Sequence, residues 1–470
     1  MMFRKLSLTT LSLALSACAV GPTYVSPTPG APSQSAFLES GKSPAFSGDQ
    51  PPGNWWSLFA DPTLDGLVEQ ALANNTDLRV AAANLLQARA VLRETRAGRL
   101  PSTQVGASGS YARQPGSITG VGPVEGESYD IGLDIGYQVD LFGRVGSAIR
   151  ASRADAEAVQ AAFDLTRITV AAETARAYAD VCSFNRQISV AEETLRIQER
   201  TFDLIQRLFE GGRVTRLETG QAGALLEQTR ASIPTLTAQR SAALYRLAVL
   251  TGKSPAEAPT ELLQCQGPPE LNQAIPVGDG ATLLARRPDI RRAERQLAAA
   301  AARVNVATAD LYPSISLGGS IGSTAGSVSD LGSSGGFRFS LGPLISWNFP
   351  NIAVAKARVV QAEAGNDAAL AAFEGAWLGA LEETESALAI YAGELDRLAA
   401  LRRAANEAGE AARIARLRYE AGRENFQIVL DTQRTQAQIQ TSIAQSEQQR
   451  ATYLVSLFLA LGGGWQDFAG

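Results

Sequence analysis

Residues 130–141, with the sequence Asp-Ile-Gly-Leu-Asp-Ile-Gly-Tyr-Gln-Val-Asp-Leu, decide the fold. Their apolar side chains alternate with polar residues or glycine, and this period of two predicts a β-strand with one apolar face. The same alternation occurs three more times, so we predict four strands of about ten residues or more, at about 102–113, 128–141, 314–323 and 337–346. Loops rich in glycine and serine, at 114–127 and 323–336, separate the two strands of each pair.

These strands have the length of membrane-spanning strands. A tilted transmembrane strand needs about 9–11 residues, and a polar second face suits a water-filled lumen. A soluble hairpin has the same pattern, so both interpretations stay open at this point. No run of about 18 apolar residues occurs, which excludes a membrane-spanning helix. Since the smallest closed barrels have about eight strands, a barrel would have to be shared between chains, either two or three of them.

The chain is duplicated. Residues 77–79 (Asp-Leu-Arg) recur at 289–291 (Asp-Ile-Arg), and residues 209–213 (Phe-Glu-Gly-Gly-Arg) recur at 419–423 (Tyr-Glu-Ala-Gly-Arg). Landmarks that repeat in the same order at nearly the same distance indicate two copies of one structural unit. We therefore predict a first repeat at 61–252 and a second at 281–462, joined by a linker at 253–280 and followed by a tail at 463–470.

Each repeat is predicted to contain a helix, two strands, a long helix and a shorter helix. The long helices, at about 148–209 and 352–420, would each extend over roughly 90 Å at 1.5 Å per residue. The shorter helices are predicted at 75–98, 215–251, 287–310 and 425–461. Helical periodicity does not distinguish a solid coiled-coil bundle from a hollow wall of helices.

The N-terminus has the features of an export signal. Arg4 and Lys5 precede an apolar stretch and then Leu-Ser-Ala-Cys at 15–18, which predicts a signal peptide at 1–17. The last four residues resemble the bacterial lipobox, in which the cysteine is lipidated, although an ordinary signal peptide beside a chance cysteine is the alternative. Residues 18–60 are rich in proline, and we predict an extended arm that is neither helix nor strand.

Composition excludes several kinds of chemistry. The chain has no histidine and carries 42 basic against 47 acidic residues, so it offers neither a histidine-based catalytic site nor a surface for nucleic acid. Its three cysteines stand far apart, which argues against a thiolate metal site or a disulfide framework. Cys182 is predicted to be a small packing residue within a helix, and a bond to Cys265 stays open. We predict no catalytic residue, no metal and no cofactor apart from a covalent lipid on Cys18.

Four short motifs stand in order along this duplicated frame. They are Cys-Ala-Val-Gly-Pro-Thr-Tyr at 18–24, Trp-Trp-Ser-Leu-Phe-Ala-Asp-Pro at 55–62, Tyr-Gln-Val-Asp-Leu-Phe-Gly-Arg at 137–144 and Leu-Ala-Arg-Arg-Pro-Asp-Ile at 284–290. Together they resemble the TolC-like outer-membrane factor family, in particular its lipoprotein branch of the NodT and OprM type. The resemblance implies a homotrimer with a twelve-stranded barrel in the outer membrane, continued by an α-helical tunnel through the periplasm.

The resemblance also implies a function. Such proteins are passive exit ducts of tripartite efflux pumps, and they receive small toxic compounds or drugs from an inner-membrane pump, usually of the resistance-nodulation-division (RND) type, through a periplasmic adaptor. The duct of a type I protein secretion system is one alternative. A periplasmic coiled-coil scaffold lipoprotein without a channel is another, although it would not need the four alternating strands. An enzyme is the least expected function.

Candidate sites follow from the same resemblance. The periplasmic turns with Gly211, Gly212 and Gly422 are expected to dock the adaptor. Asp431 and Arg434 are expected at the periplasmic gate, although two residues three apart on a helix also form ordinary exposed pairs.

The strands supply a third group of candidates. Asp130, Asp134 and Arg338 lie on the polar strand faces and are expected to line the barrel lumen, with simple solvation as the alternative.

Overall fold

The computed structural model describes residues 20–115, 123–271, 273–347, 349–350 and 352–463. The predicted signal peptide, the lipidation site Cys18 and the tail from residue 464 onward lie outside the described residues.

The predicted duplication is present in the order and length of the helices. The helix before each strand pair has 22 residues, the long helices have 67 and 68, and the final helix of each repeat has 35. Together with two shorter helices, they are α1 (Pro62–Asn74), α2 (Thr76–Ala97), α3 (Arg144–Glu210), α4 (Arg216–Leu250), α5 (Gly280–Arg286), α6 (Pro288–Ala309), α7 (Ala353–Glu420) and α8 (Phe426–Ala460). Among the described residues, no helix is both long enough and apolar enough to cross a membrane.

Four helices end in the same way, which extends the duplication to the helix caps. Gly212, Gly252, Gly422 and Gly462 all have positive φ, between 65° and 76°. At Gly422 the backbone N–H donates to the carbonyl of Tyr419, and the next N–H, that of Arg423, donates to Arg418. This pair of bonds is the Schellman motif, which satisfies carbonyls at the helix end. Glycine is favoured at the left-handed position because it has no Cβ.

Two short strands, β1 (Phe46–Ser47) and β4 (Ile275–Pro276), have two residues each. The four predicted strands are β2 (Ser102–Gln114), β3 (Val124–Val139), β5 (Ser314–Ala325) and β6 (Phe337–Ser346). They form one antiparallel sheet in the order β2-β3-β5-β6. β3 begins four residues earlier than predicted, inside the segment expected to be a loop, and ends two residues earlier than predicted. Asp140 leaves the strand because its carboxylate accepts the backbone N–H groups of Val145 and Gly146, at the start of α3.

The N-terminal arm has more structure than predicted. It contains short 3-10 helices at Ala31–Gln34, Ser40–Lys42 and Trp55–Phe59, and β1 pairs with β4 in parallel. The prediction of an arm without helix or strand was wrong because the proline-rich sequence also contains apolar side chains that pack into the core. Trp55 is fully buried, and its ring stacks on Phe458 with 4.8 Å between centroids.

Contacts divide the chain into two compact units. One comprises the described residues among 1–27, 84–160 and 292–374, and it contains the four-stranded sheet. The other comprises those among 28–83, 161–291 and 375–470, and it contains the helix-to-helix turns and the main apolar core. Each unit therefore draws on both repeats.

Cys182 and Cys265 form a disulfide, so the prediction of Cys182 as a simple packing residue was wrong. The Cα atoms are 5.3 Å apart, within the range that a disulfide spans. The side-chain amide of Asn185 donates to the carbonyl of Leu262 and to the sulfur of Cys265. The bond therefore fastens the linker between the repeats to the buried side of α3.

Candidate functional site

The two faces of the four-stranded sheet differ sharply in chemistry. On one face the register aligns polar side chains across neighbouring strands, among them Gln104, Ser108, Asp130, Asp134, Ser320, Thr324, Arg338 and Ser340. All three predicted lumen residues lie on this face. The opposite face is apolar and carries Val105, Ile131, Leu133, Ile135, Ile321, Phe339 and Leu341.

The structure brings two of the three predicted lumen residues together. The Arg338 guanidinium on β6 donates from Nη2 to both Asp130 carboxylate oxygens on β3, each at 2.8 Å. Thr324 adds a hydrogen bond from its hydroxyl to the same carboxylate at 2.7 Å. Asp134 lies in register with Gln104 and Ser320 and makes no ion pair with any basic side chain that the structure describes.

Glycine makes this long-range ion pair possible. β5 lies between β3 and β6, and Gly322 is the β5 residue directly opposite Arg338. A Cβ on Gly322 would lie 2.6 Å from the carbonyl oxygen of Ile131 and 3.3 Å from the Arg338 guanidinium carbon. The arginine thus crosses a strand where no side chain stands in its way. The pair connects three strands and neutralises one charge of each sign on the polar face.

The apolar face of the sheet is open. Val105 and Phe339 are each 75% exposed and Leu341 is 86% exposed. An apolar surface of this extent is typical of a face that another molecule or a lipid phase covers. Stacked aromatic pairs lie just beyond the strands, Phe142 on Tyr312 and Trp347 on Phe349, each with 4.8 Å between ring centroids. Aromatic girdles of this kind border the apolar band of membrane barrels.

The three glycines of the predicted docking turns differ in backbone conformation and in the space around a Cβ. Gly212 and Gly422 hold the left-handed positions, and a Cβ on either would point into open space. Gly211 does not have a positive φ, and a Cβ there would lie 3.6 Å from the carbonyl oxygen of Arg207. Directly behind the turns lies a small apolar cluster with Ile205, Phe426 and Leu430. An apolar cluster therefore supports the turns, and beyond the adjacent residues no atom lies within 4 Å of the Cβ positions of Gly212 and Gly422.

The predicted gate pair is loose within one chain. Arg434 Nη1 lies 3.9 Å from Asp431 Oδ1, and the two side chains are 61% and 50% exposed. The firmer contact of Asp431 is with the amide of Gln427, which donates to Oδ1 at 3.1 Å. Ile428, one turn before Thr432, is 40% exposed on the same helix. A pair this open contributes little to the stability of a single chain.

The Arg-Arg-Pro-Asp motif at 286–289 forms a network to which the sequence assigned no role. Arg287 donates to the carbonyl of Ala460 at the end of α8, and it pairs with Asp289 at 2.8 Å and Glu383 at 2.7 Å. Burial alone would lower the pKa of Arg287, but hydrogen bonds and the charges of both acids raise it overall. Burial would likewise raise the pKa of Asp289, but Arg287 lowers it overall. Neighbouring Arg286 donates to the carbonyl of Pro51 and so holds the arm.

The Gly-Pro-Thr-Tyr motif at 21–24 fastens the start of the described chain. The Tyr24 hydroxyl donates to Glu294 at 2.7 Å, and burial together with this bond raises the pKa of Tyr24 to about 12. Gly21, with φ of 110°, packs against Asn305, whose amide donates to the carbonyl of Pro22. The sequence motif was visible, but its contacts lie some 280 residues away in the chain.

Within the described part of the chain, no group of three or more cysteine or carboxylate side chains is placed to hold a metal ion. The candidate functional features are therefore the sheet, with one polar and one apolar face, and the exposed turns between helices.

Comparison with known proteins identifies the family. A family model described as outer membrane efflux protein matches residues 67–253 and 281–463, so both repeats are covered. The chain belongs to the outer membrane efflux protein family. This membership confirms the predicted family, the outer-membrane location and the role in efflux.

Individual relatives match this efflux protein over nearly its whole length. Outer membrane protein OprJ of Pseudomonas aeruginosa is 34% identical, over 97% of this chain and 95% of that protein. The toluene efflux pump outer membrane protein TtgF of Pseudomonas putida is 30% identical, over 98% and 96%. The solved outer-membrane channel OprN superimposes with a TM-score of 0.90 at 37% identity, covering 95% of this chain and all of that one. The predicted fold class is thereby confirmed.

Proposed function

We propose that three copies of this chain form the outer-membrane exit duct of a tripartite efflux pump. The observation that carries the proposal is the four-stranded sheet, with an exposed apolar face, a polar face and two open edges. β2 and β6 are the outer strands of the sheet. Their outer edges present unpaired backbone N–H and C=O groups, which lipid cannot satisfy.

A homotrimer resolves this difficulty. If β6 of each copy pairs with β2 of the next, three sheets close into a twelve-stranded barrel without free edges. The apolar face then contacts lipid and the polar face lines a water-filled lumen. Asp130, Asp134 and Arg338 become lumen residues, and the Asp130–Arg338 pair leaves Asp134 as the acidic group that meets the cargo.

The duct is passive, and it carries small toxic compounds that an inner-membrane pump supplies. Its relative TtgF is the outer-membrane protein of a toluene efflux pump, which supports a small organic cargo. The polar face offers few charged groups and the structure assigns it no chemistry, so no enzymatic activity is proposed. The efflux family favours this function over type I protein secretion, and the two-faced sheet favours it over a periplasmic scaffold.

The partners complete the pump at the helix turns. A periplasmic adaptor is proposed to dock at Gly211, Gly212 and Gly422, where the glycines leave the backbone of the turns accessible. The adaptor connects the duct to an RND-type pump. Around the threefold axis, Asp431 and Arg434 of the three copies would form the periplasmic gate, because each pair is exposed and therefore available to a neighbouring copy. The lipid on Cys18 anchors the assembly in the outer membrane.

The test is dye efflux in the native host from which the gene has been deleted. Wild type and two glycine variants are returned to the deletion strain, and accumulation of a hydrophobic fluorescent dye is measured. Gly422→Asn adds a side chain to the docking turn, and asparagine tolerates the left-handed conformation. Gly332→Asn is the matched control, since Gly332 also has positive φ, at 85°, and open space around its Cβ, but it lies in the loop between β5 and β6.

We expect wild type and Gly332→Asn to lower dye accumulation and Gly422→Asn to leave it high, with equal amounts of trimer in the membrane. Deletion without any rise in accumulation would contradict the efflux function. Full efflux by Gly422→Asn would contradict docking at this turn.

A further inference from the structure

Basic side chains collect at one end of the four-stranded sheet. The twelve residues on the helix side of each of the four strand ends there, at 90–101, 140–151, 302–313 and 347–358, together contain eight basic residues against three acidic ones. We call the eight the basic collar: Arg93, Arg96, Arg99, Arg144, Arg150, Arg303, Lys356 and Arg358. This enrichment occurs in a chain whose net charge is −5, so it does not reflect overall composition.

The opposite end of the sheet differs. The segments 113–127 and 324–338, which contain the loops between paired strands, hold two basic and three acidic residues. The basic groups therefore mark one side of the apolar band only. A one-sided excess of positive charge beside a membrane segment is typical of proteins that contact anionic lipid headgroups.

The collar is exposed and mostly unneutralised. All eight belong to residues that are exposed in the single chain. Arg144 pairs with Asp310 at 2.8 Å, and Arg303 pairs with Asp155 at 2.6 Å. The other six make no ion pair with any carboxylate that the structure describes. An exposed arginine or lysine without an acidic partner retains its full attraction for a phosphate group.

A cleft within the collar has the size and lining of a headgroup site. It has a volume of about 730 Å³ and lies where β3 and β6 end and β5 begins. Arg144, Arg358, Tyr312 and Trp347 line it, together with apolar carbons of Val354. Two carboxylates line it as well, but Asp140 accepts two backbone N–H groups and Asp310 accepts from Arg144 Nε. The Trp347 indole N–H donates to the carbonyl of Leu311, which fixes the ring at the rim. Tryptophan and tyrosine beside basic groups are the side chains that membrane proteins place at the level of the headgroups.

The N-terminus marks the same end of the sheet. The backbone N–H of Val20 lies 3.4 Å from the carbonyl oxygen of Phe142, and Phe142 lines the cleft. Val20 follows the predicted lipidation site by two residues, a reach of about 7 Å at most. A lipid on Cys18 would thus enter the bilayer beside the collar, in the leaflet that faces the periplasm.

We propose that the basic collar binds anionic phospholipids of that leaflet, with one phosphate held in the cleft by unpaired Arg358 and by the Nη groups of Arg144, whose Nε donates to Asp310. The proposal rests on the proposed function, because the latter places the sheet in the outer membrane. Bound phospholipid would fix the depth of the sheet in the bilayer, and the unpaired guanidinium groups would make that depth dependent on ionic strength.

The experiment uses the full-length lipidated trimer in nanodiscs that contain equal amounts of phosphatidylglycerol and phosphatidylcholine. The lipids that stay bound are counted by native mass spectrometry at low salt. Lys356→Gln/Arg358→Gln removes two unpaired collar groups. Lys253→Gln/Arg403→Gln is the matched control, since it removes one lysine and one arginine that are also exposed and make no ion pair with a described carboxylate, but lie outside the collar.

We expect wild type and the control to retain phosphatidylglycerol in preference to phosphatidylcholine. The collar variant should lower this preference, by about fivefold for each basic side chain removed. Equal retention of both lipids by wild type, or an equal fall in both variants, would overturn the proposal. Loss of the trimer in the collar variant alone would also overturn it, because the side chains would then serve a contact between subunits. Failure of wild type to insert as a trimer would instead contradict the proposed function.

Discussion

Removal of the disulfide offers a quantitative test of how the linker between the repeats is held. Cys182 lies on α3 and Cys265 directly follows the 3-10 helix Thr260–Gln264. We consider the variant Cys182→Ala/Cys265→Ala, which leaves no new thiol. In the absence of the bond, the linker is held by weaker contacts, such as the hydrogen bond from Asn185 to Leu262 at 2.9 Å.

The expected effect depends on which part of the chain opens. In a local opening the helices stay folded, and the disulfide constrains only the chain between the end of α4 at Leu250 and Cys265. A loop of about 15 residues corresponds to about 3 kcal/mol, or roughly a hundredfold in the opening equilibrium. In a global unfolding the bond instead closes a loop with a sequence separation of 83, which corresponds to about 4.5 kcal/mol.

Hydrogen exchange of the intact trimer separates these two cases. The amides of Glu257, Leu262 and Cys265 are hydrogen-bonded within the linker, so their exchange reports its opening. We expect these amides to exchange roughly a hundredfold faster in the variant, while amides in the middle of α3 remain unchanged.

Ser183→Ala is the matched control. Ser183 is fully buried next to Cys182, and its hydroxyl donates to the carbonyl of Ala179 within α3. Its replacement should leave linker exchange as in wild type. Equal exchange in the disulfide variant and wild type would refute the argument that the bond restrains the linker.

Three further outcomes are expected. Arg287 lowers the pKa of Asp289, so the stabilisation from this pair is present above the unfolded-state pKa of Asp289 and is lost as pH falls through the folded-state pKa. Asp289→Asn should therefore flatten the loss of thermal stability below about pH 4. An unchanged profile of melting temperature against pH would contradict this. Asp431→Ala/Arg434→Ala should raise single-channel conductance in planar bilayers and weaken cation preference without changing trimer yield, and wild-type conductance would mean that the constriction lies elsewhere. Cys18→Ala should abolish incorporation of labelled fatty acid, and unchanged labelling would remove the lipoprotein assignment.

Regular elements were predictable because their pattern is local. The alternation in residues 130–139 follows directly from the strand period, and the glycines at 212 and 422 mark helix ends. α1 also had a local signal that went unused, since the Asp61 carboxylate accepts the N–H groups of Thr63 and Leu64 and Pro62 occupies the first helical position.

Contacts between distant parts of the chain were not predictable. The Asp130–Arg338 pair depends on the register of three strands and on the gap at Gly322, neither of which a single strand contains. Pairing of the two internal cysteines required knowing that the linker returns to α3. The gate pair had a clear spacing, but the 3.9 Å distance shows that helical spacing alone does not establish a firm ion pair.

The central claim is that the sheet is the wall of an aqueous duct in a membrane. The most direct test is the accessibility of single introduced cysteines to a water-soluble reagent. Ser320 lies on the polar face and Ile321 is its neighbour on the apolar face. Neither Cys182 nor Cys265 offers a free thiol, and Cys18 is predicted to be lipidated. A water-soluble maleimide applied to outer membranes should therefore modify Ser320→Cys, and the attached group should reduce conductance in planar bilayers. Ile321→Cys should stay unmodified in lipid. Modification of Ile321→Cys with protection of Ser320→Cys, or equal modification of both, would contradict the duct.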